Sequence, residues 1–400
     1  MEKSIQESFA ARREVLESLW SERYGSLPKS PRYFSSPGRA EIVGNHTDHN
    51  LGKVLVSAIS CDVLSLVEPR SDGVVEIVSA GFSPVSVRIS DTERKEREKG
   101  KSVSFARGVI AYLKDRGYEV GGFSAVTTSN VFRGAGVSSS AAFAVLVAEI
   151  ENALYLKGAL SPMDKARAAQ YAENVYFGKP CGLLDQSGVA LGGLNKIDFA
   201  DPENPVIRHV KKPEGYKLVL TSTGGSHAGL TSHYAAIREE MGKVAEYFHK
   251  PNLRALTEEE VVGELQALRA YAGDRAVLRA LHYFAENERV DRAAEGLARG
   301  DVDTFLTAVR ESGESSLGYL QNCSVPGGKE QPIVLGLRLS ERYLKHGAFR
   351  VMGGGFAGTV LGICREDCAE EYALGMAKAF GQENVFFADV RESGTSELTI

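Results

Sequence analysis

The stretch RGAGVSSSAA at residues 133–142 carries the strongest local signal in this sequence. The surrounding pattern predicts a strand before it, at residues 123–128, and an apolar helix after it, at residues 141–156. Glycines let a backbone approach a phosphate because no Cβ intervenes, and the N-terminus of the following helix favours an anion. No lysine follows the glycines, so the stretch is not a Walker loop. A glycine-rich turn with an ordinary serine N-cap is an equally good interpretation of these residues alone.

A second glycine cluster, GGGFAG at residues 353–358, lies between predicted strands at residues 348–351 and 359–363. Glycine-rich turns are common, but two such loops in a chain of this size are more than turns usually require. The pair of loops therefore favours a bound ligand over two unrelated turns.

Two carboxylates stand in positions that suit chemistry. Glu173 lies on the predicted helix at residues 166–177, and Asp185 lies in the segment CGLLDQ at residues 181–186. Apolar residues precede Asp185, so its carboxylate is expected to be partly desolvated and to need a partner. It suits a general base that accepts a hydroxyl proton, and a capping or ion-paired aspartate is the alternative.

Polar side chains crowd the segment PGRAEIVGNHTDHN at residues 37–50, with six of them between Gly44 and Leu51. Such a run can donate and accept hydrogen bonds in several directions, which suits a polyhydroxylated ligand. A metal site formed by His46, Asp48 and His49 is possible in principle, although no cysteine or further acidic residue nearby completes the set. A surface loop is the third interpretation.

The bulk composition excludes several classes of protein. The 400 residues carry a formal net charge of −5 and are 43% hydrophobic, which is typical of a globular chain and unfavourable for a nucleic-acid-binding protein. No apolar run approaches the roughly 18–20 residues of a membrane span, and residues 1–7 lack the apolar stretch of a signal peptide. We therefore expect a cytoplasmic protein that binds neither nucleic acid nor membrane. The five scattered cysteines are expected to be reduced thiols.

Strands and helices mix without the regular βα repeat of a doubly wound sheet, which predicts an α+β fold. Ser- and Pro-rich residues 26–37 are predicted to be loop or extended chain. The composition becomes helix-rich after the run DPENP at residues 201–205, which is typical of a junction. The predicted domains are therefore residues 1–205 and 206–400. Helical periodicity is found at residues 4–23, 103–113, 234–248, 258–271, 276–284, 302–309, 331–344 and 368–380, and further strands are predicted at residues 54–67, 74–78, 85–89, 217–221 and 385–389.

Taken together and in this order, these segments resemble the GHMP kinase family, and within it the galactokinases. Residues 37–50 are similar to the galactokinase signature, residues 134–141 to the phosphate loop, and residues 352–359 to the C-terminal glycine-rich motif. Glu173, Asn174 and the segment at residues 181–186 are similar to the stretch that holds the Mg²⁺ ion and the base. The resemblance implies a two-domain GHMP kinase fold, with an N-terminal ribosomal-protein-S5-like domain, a C-terminal ferredoxin-like domain and the active site between them.

The resemblance also implies an activity: transfer of the γ-phosphate of ATP, with Mg²⁺, to the anomeric hydroxyl of galactose. Asp185 would accept the hydroxyl proton or orient the hydroxyl, and Arg39 would keep Asp185 ionised. Ser140 and Glu173 would bind the Mg²⁺ ion. The phosphate loop would consist of Gly134, Ala135, Gly136, Val137, Ser138, Ser139 and Ser140. The sugar would be held by Asn45, His46, Thr47, Asp48, Gly182 and Tyr234.

Two departures from the galactokinase pattern leave the sugar open. Asn45 stands where the pattern has Glu, and His49 stands where it has Tyr. N-acetylgalactosamine, arabinose or another small alcohol is therefore an alternative substrate. A non-catalytic sugar or ATP sensor is a third hypothesis, although the retained loop serines speak against it. We expect a monomer, with an oligomer left open.

Overall fold

The computed structural model describes residues 3–131, 136–224 and 229–399, with side chains from residue 6 onward. The strands are β1 (Arg32–Val43), β2 (Lys53–Arg70), β3 (Val74–Ser79), β4 (Val85–Arg88), β5 (Gly122–Ser129), β6 (Leu194–Asp198), β7 (Val206–Val210), β8 (Tyr216–Ser222), β9 (Gly347–Met352), β10 (Thr359–Arg365), β11 (Val385–Ala388) and β12 (Ser396–Glu397). The helices are α1 (Lys3–Tyr24), α2 (Ser102–Asp115), α3 (Ser139–Leu154), α4 (Pro162–Tyr171), α5 (Leu184–Leu191), α6 (Thr231–Tyr247), α7 (Glu258–Gly263), α8 (Leu265–Ala272), α9 (Asp274–Ala298), α10 (Val302–Ser315), α11 (Pro332–Tyr343) and α12 (Glu366–Phe380). Single π-helical segments follow α4 (Ala172–Phe177) and α10 (Ser316–Leu320).

The first sheet has the strand order β12-β1-β2-β5-β3-β4. Its long strand β2 pairs with β6 through residues 53–57 and with β5 through residues 63–70. Helices α2 to α5 pack on one face, where alanines and valines of α3 are completely buried. Helix α1 covers strand residues on β1, β2 and β5 with Phe9, Leu16 and Trp20. This sandwich fixes β1 and the N-termini of α3 and α5, which carry the site.

Residues 32–37, which were predicted to be loop or extended chain, form the first half of strand β1. The pairing register of β1 with β2 shifts between Pro37 and Gly38. A proline fits in a strand at such an irregularity, since it has no N–H to donate to the ladder. The bulge lets a strand rich in Ser and Pro continue to Val43 and present Arg39.

The second sheet has the order β11-β8-β10-β9, with every neighbour antiparallel. Along the chain its elements run strand, helices, strand, strand, helix, strand, which is the ferredoxin-like pattern. The two different sheets with helices packed against them confirm the α+β prediction.

The predicted boundary at residue 205 falls inside the first sheet. Strands β6 and β7 form an antiparallel hairpin, and residues 201–205 lie in its loop. The run DPENP does mark a turn there, but the turn closes a hairpin. The end of the chain also returns to this sheet, since Phe34 pairs with Glu397. Residues 206–210 and 396–397 therefore belong to the first sheet, in contrast to the predicted division.

In the part of the chain that the structure describes, no helix combines the length and apolar character that crossing a membrane requires. All five cysteines are free thiols.

Candidate active site

Arg39 joins two of the predicted segments. Its Nε donates to Asp185 Oδ1 at 2.8 Å, and its Nη1 donates to the carbonyl of Gly136. The Arg39 backbone N–H also donates to the carbonyl of Val137 at 3.2 Å. The guanidinium is almost fully buried, so the strand, the glycine loop and the start of α5 meet at one charged group. The predicted contact between residues 39 and 185 is therefore present beside the glycine loop.

The Asp185 carboxylate is held in its ionised form. Burial raises its pKa, but Arg39, the Ser138 hydroxyl and Lys179 together outweigh burial and keep the pKa below its ordinary value. Its side chain keeps 30% of its surface exposed, so an incoming group can reach it. A partly exposed carboxylate that stays ionised at neutral pH can accept a hydrogen bond or a proton from a hydroxyl.

The glycine loop is described from Gly136 onward, whereas the predicted loop residues Gly134 and Ala135 lie outside the described residues. Gly136 and Ser138 both have left-handed backbones, with φ of 61° and 60°. A Cβ on Gly353, in the second glycine cluster, would lie 3.4 Å from both the Gly136 carbonyl and an Arg39 nitrogen. The two glycine clusters therefore both lie beside the Arg39 side chain, as expected for two loops that bind one ligand.

Helix α3 begins at Ser139, two residues before the predicted start, and the predicted capping hydrogen bond from a serine is absent at its N-cap. Ser138 occupies the N-cap position and its side chain makes no capping hydrogen bond. The N–H groups of the first helical turn are therefore not used by that hydroxyl, and the helix dipole adds positive potential at this end. Ser139 is exposed and Ser140 is half-buried at the same end of the helix. This helix start is suited to an anion.

Asp48 packs against the segment that carries Asp185. Asp48 Oδ2 accepts the N–H of Leu184 at 3.1 Å, and Oδ1 accepts the N–H of His49 at 2.9 Å. A methyl group on Gly182 would overlap the Asp48 carboxylate, so only glycine permits this approach. Burial raises the pKa of Asp48 to about 6, and the bond from Leu184 opposes that rise. Asp48 and Gly182 therefore lie beside the segment that carries Asp185, and their contact with a sugar stays a prediction.

His46 and Tyr234 both contact the second glycine cluster. The His46 Nε2 lies 3.1 Å from the carbonyl oxygen of Gly354, and the Tyr234 hydroxyl donates to the carbonyl of Gly355 at 3.0 Å. Burial lowers the pKa of His46 to about 4, so the ring is neutral at pH 7 and its Nε2 donates to Gly354. The His46 backbone is left-handed, with φ of 57°, a conformation that is uncommon for this residue type. Both side chains are half-buried beside the second glycine cluster.

The predicted ligand contact of Asn45 does not agree with its position. The side chain is completely buried, and all four of its hydrogen-bonding positions are used within the protein. Its amide donates to Glu41 at 2.7 Å and to the Gly353 carbonyl at 2.8 Å. Its oxygen accepts from Asn322 at 2.8 Å and from Ser316 at 3.3 Å. Asn45 ties the polar turn to the second glycine cluster.

The side chain of Thr47 also bonds within the polar turn. It is buried, and its hydroxyl lies 2.6 Å from the carbonyl of Lys53 and 3.0 Å from that of Gly44. These contacts close the turn between β1 and β2. The prediction that Thr47 contacts a ligand therefore has no support from its position.

A buried ionic cluster behind the turn was not predicted. Glu286, on α9, accepts the backbone N–H groups of Gly44 at 2.8 Å and Asn45 at 3.1 Å. It also pairs with Arg289 at 2.7 Å and lies 3.8 Å from Arg350. Burial raises the pKa of Glu286, but these arginines and other donors outweigh burial and hold it well below its ordinary value. A long helix of the second half of the chain therefore positions the turn that carries His46 and Asp48.

Glu173 lies near Asp185 and is almost completely buried. Its Oε2 accepts the amide of Gln186 at 2.8 Å, and its Oε1 lies 3.5 Å from the Lys179 ammonium. Burial raises the pKa of Glu173, an effect that Lys179 opposes and Asp185 increases. A buried carboxylate of this kind gains from a nearby cation, which is compatible with the predicted metal role. Among the described residues no group of three or more His, Cys, Asp or Glu side chains is arranged to hold a metal, so the alternative site at His46, Asp48 and His49 has no support.

Comparisons with known proteins agree with this geometry. The family model of the GHMP kinases N terminal domain matches residues 104–193, and the galactokinase galactose-binding signature matches residues 18–69. The galactokinase of Clostridium tetani (strain Massachusetts / E88) is 29% identical over 375 residues, which cover 92% of this chain and 94% of that protein. The resemblance to the GHMP kinases, and within them to the galactokinases, is therefore confirmed by two family models and by a relative similar over most of the chain.

Solved structures show the same GHMP kinase fold. The crystal structure of Lactococcus lactis galactokinase complexed with galactose matches with a TM-score of 0.83 and 22% identity, covering 96% of this chain and all of that one. Methanococcus jannaschii mevalonate kinase matches with a TM-score of 0.62 and 14% identity, covering 91% of this chain and 99% of that one. The predicted family and fold are therefore confirmed, whereas the roles of individual residues stay predictions.

Sequence reasoning missed two groups of this site. Lys179 stands beside Glu173, and the only signal for it was its place between the segments that carry Glu173 and Asp185. Glu286 and its arginines had no signal, because their partners in the polar turn lie more than 200 residues away in sequence.

Proposed function

We propose that this GHMP kinase is an ATP-dependent sugar 1-kinase that converts galactose to galactose 1-phosphate. The observation that carries the proposal is the bridge made by Arg39, which bonds to Asp185 and to Gly136 of the glycine loop. The Arg39 guanidinium thus contacts both the proposed base, Asp185, and the loop proposed to bind the phosphates. The relative from Clostridium tetani, which is a galactokinase, supports the choice of reaction.

In the proposed reaction, the anomeric hydroxyl oxygen of the sugar forms a bond to the γ-phosphorus of ATP. The bond between that phosphorus and the β,γ-bridging oxygen breaks, and ADP leaves. Asp185 accepts the hydroxyl proton, while Arg39 keeps Asp185 ionised and offsets charge on the transferring group. Backbone N–H groups of the glycine loop and of the α3 N-terminus hold the phosphates. Positioning and charge supply most of the catalysis in phosphoryl transfer.

Glu173 and Ser140 would hold a Mg²⁺ ion together with nucleotide phosphates and water. One carboxylate and one hydroxyl suit this ion, which usually keeps several waters and is held through few protein groups and substrate phosphates. When bound, Mg²⁺ would neutralise part of the phosphate charge. The chain's own part is to keep Glu173 oriented, which its bond from Gln186 does.

The sugar would lie against Asp48, His46, Gly182 and Tyr234. Asp48 offers carboxylate oxygens beside Asp185, and Tyr234 offers a half-buried hydroxyl beside the second glycine cluster. Neutral His46 is fixed by its bond to Gly354. These groups give both acceptors and donors, as recognition of several sugar hydroxyls requires.

The proposal is tested by measuring ADP formation over a panel of sugars at equal concentration, with and without Mg²⁺. We expect Mg²⁺-dependent turnover that is fastest with galactose. Sugar binding without ADP release would favour the sensor hypothesis. Absence of both binding and turnover with every sugar would overturn the proposal. The cytoplasmic location and the monomeric state stay predictions.

A different natural sugar is a second candidate, and the position of Asn45 favours it. The galactokinase pattern has a carboxylate at this place, but here the amide is buried and bonded to Glu41 and Gly353. The sugar hydroxyl that would meet that carboxylate therefore meets another group. Faster turnover with N-acetylgalactosamine or arabinose than with galactose in the same panel would establish this candidate.

Replacing Gly182 by alanine is expected to weaken sugar binding. The new methyl group would overlap the Asp48 carboxylate and displace it from the Leu184 N–H. Losing the hydrogen bond between the sugar and the displaced carboxylate costs about 1.5–3 kcal/mol, which corresponds to a roughly 10- to 150-fold higher Kd for the sugar. Calorimetry with the sugar and separately with an ATP analogue measures the effect, and the analogue should bind as before.

The matched control is Gly263→Ala, because a Cβ there meets no atom within 4 Å. Gly182→Ala with unchanged sugar affinity would show that Asp48 does not contact the sugar.

A further inference from the structure

Lys179 places a second cation beside the carboxylates of the site. Its ammonium lies 3.5 Å from Glu173 Oε1, and half of its side-chain surface is exposed, against 2% for Glu173. Its charge also contributes to keeping the pKa of Asp185 low. The ammonium therefore faces the place where the metal and the phosphates of a nucleotide are proposed to bind.

Backbone hydrogen bonds fix the position of the Lys179 main chain. The N–H groups of Gly178 and Lys179 both donate to the carbonyl of Glu173, at 3.0 Å and 3.1 Å. Gly178 has a left-handed backbone, with φ of 83°, and ends the π-helical segment. Pro180 follows and disfavours a helical backbone at Lys179. The position of the Lys179 backbone is thus set by the same segment that orients Glu173, while the long side chain can move.

The distribution of charge in the site indicates a role for Lys179. The glycine loop has no lysine of its own, and Arg39 already donates to Asp185 and Gly136. The site is rich in carboxylates, namely those of Asp48, Glu173 and Asp185. A bound nucleotide would add further negative charge. An ammonium on a flexible stem is a common phosphate ligand and can exchange one anion for another.

We propose that Lys179 is a nucleotide-phosphate ligand: its ammonium leaves Glu173 when ATP binds and donates to oxygens of the terminal phosphate. The exchange frees the Glu173 carboxylate at the moment when a metal arrives with the nucleotide. No covalent bond changes at Lys179, and its proton stays on the nitrogen. This inference rests on the proposed kinase function and adds a residue to it.

The test is Lys179→Met, which keeps the length of the side chain and removes its charge. Calorimetry with a non-hydrolysable ATP analogue, with ADP and with adenosine separates phosphate contacts from the rest of the nucleotide. We expect the analogue to bind roughly 10- to 100-fold more weakly, because a charge-assisted hydrogen bond is lost. ADP, adenosine and sugar should bind within about twofold of the original protein, and Lys179→Arg should recover part of the affinity.

Lys345→Met is the matched control, since Lys345 is an exposed lysine that also pairs with a carboxylate, Glu371 on α12, at 2.7 Å. Unchanged affinity of Lys179→Met for the analogue would overturn the proposal, and so would an equal loss for adenosine, which indicates a structural role. The binding assay needs no turnover. Failure of the original protein to phosphorylate any sugar would therefore refute the kinase function separately from the phosphate contact.

Discussion

Asp185→Asn should bind sugar and ATP but turn over roughly 10²–10⁴-fold more slowly. The amide oxygen of asparagine can still accept a hydrogen bond from the sugar hydroxyl, so the substrate keeps its orientation. It cannot take the proton, and it no longer carries the negative charge that faces Arg39. Steady-state kcat, together with the Kd of the sugar from calorimetry, separates these two effects.

The control for this variant is Asp72→Asn. Asp72 is also paired with an arginine, Arg70, at 2.6 Å, but the pair lies at the surface between β2 and β3. Its loss should change kcat little, since exposed ion pairs contribute about 0–1 kcal/mol to stability. Turnover of Asp185→Asn within tenfold of the original protein would mean that another group accepts the proton.

The pH dependence gives an independent check. Since Arg39 contributes to the low pKa of Asp185, Arg39→Met should let burial raise that pKa. A carboxylate base is active when ionised, so the acid side of the kcat profile should move to higher pH in Arg39→Met. A profile that keeps its acid side unchanged would show that Asp185 does not limit the rate there.

The sequence predicts the parts of this site that are local. The glycine loop, the second glycine cluster and the segment around Asp185 each have a composition that a ligand-binding turn requires, and each is found beside Arg39. Strand β1 is an example of a feature that local composition does not predict. Its Ser35 and Ser36 are buried with partners at Asp62, Ala142 and Thr395. Hydroxyls in a sheet interior cannot be told from loop hydroxyls until those distant partners are known.

Asn45 shows the same limit inside the site. Its residue type and its place in the polar turn indicate a ligand contact, and the family resemblance points the same way. In the fold its neighbour is Glu41, whose pKa burial raises to about 7, with Arg350 opposing that rise. A second carboxylate at position 45 would lie against Glu41, whereas an amide can donate to it. An amide at residue 45 is therefore explained by its partner Glu41 on β1.

Glu286→Gln should lower the free energy of unfolding by about 3–5 kcal/mol, because it leaves the buried Arg289 without its anion and leaves Arg350 with Glu41 as its only paired carboxylate among the described residues. Arg289 and Arg350 both face this carboxylate, and Gly44 and Asn45 donate their N–H groups to it. Both N–H groups donate to Oε1, so a glutamine Oε1 can still accept them, but a neutral amide cannot balance the arginines. Denaturant unfolding at pH 7 measures the change.

Glu288→Gln is the matched control, since Glu288 is exposed on the same helix and its change should stay within about 0.5 kcal/mol. The stability gap between the original protein and Glu286→Gln should also depend on pH. The folded pKa of Glu286 is depressed, so its contribution is complete above the ordinary glutamate pKa of about 4.3 and is lost as pH falls below that value. A gap that stays constant from pH 7 to pH 3 would mean that the charge of Glu286 does not stabilise the fold. A gap that closes would show that an ion cluster on α9 holds the turn on which His46 and Asp48 depend.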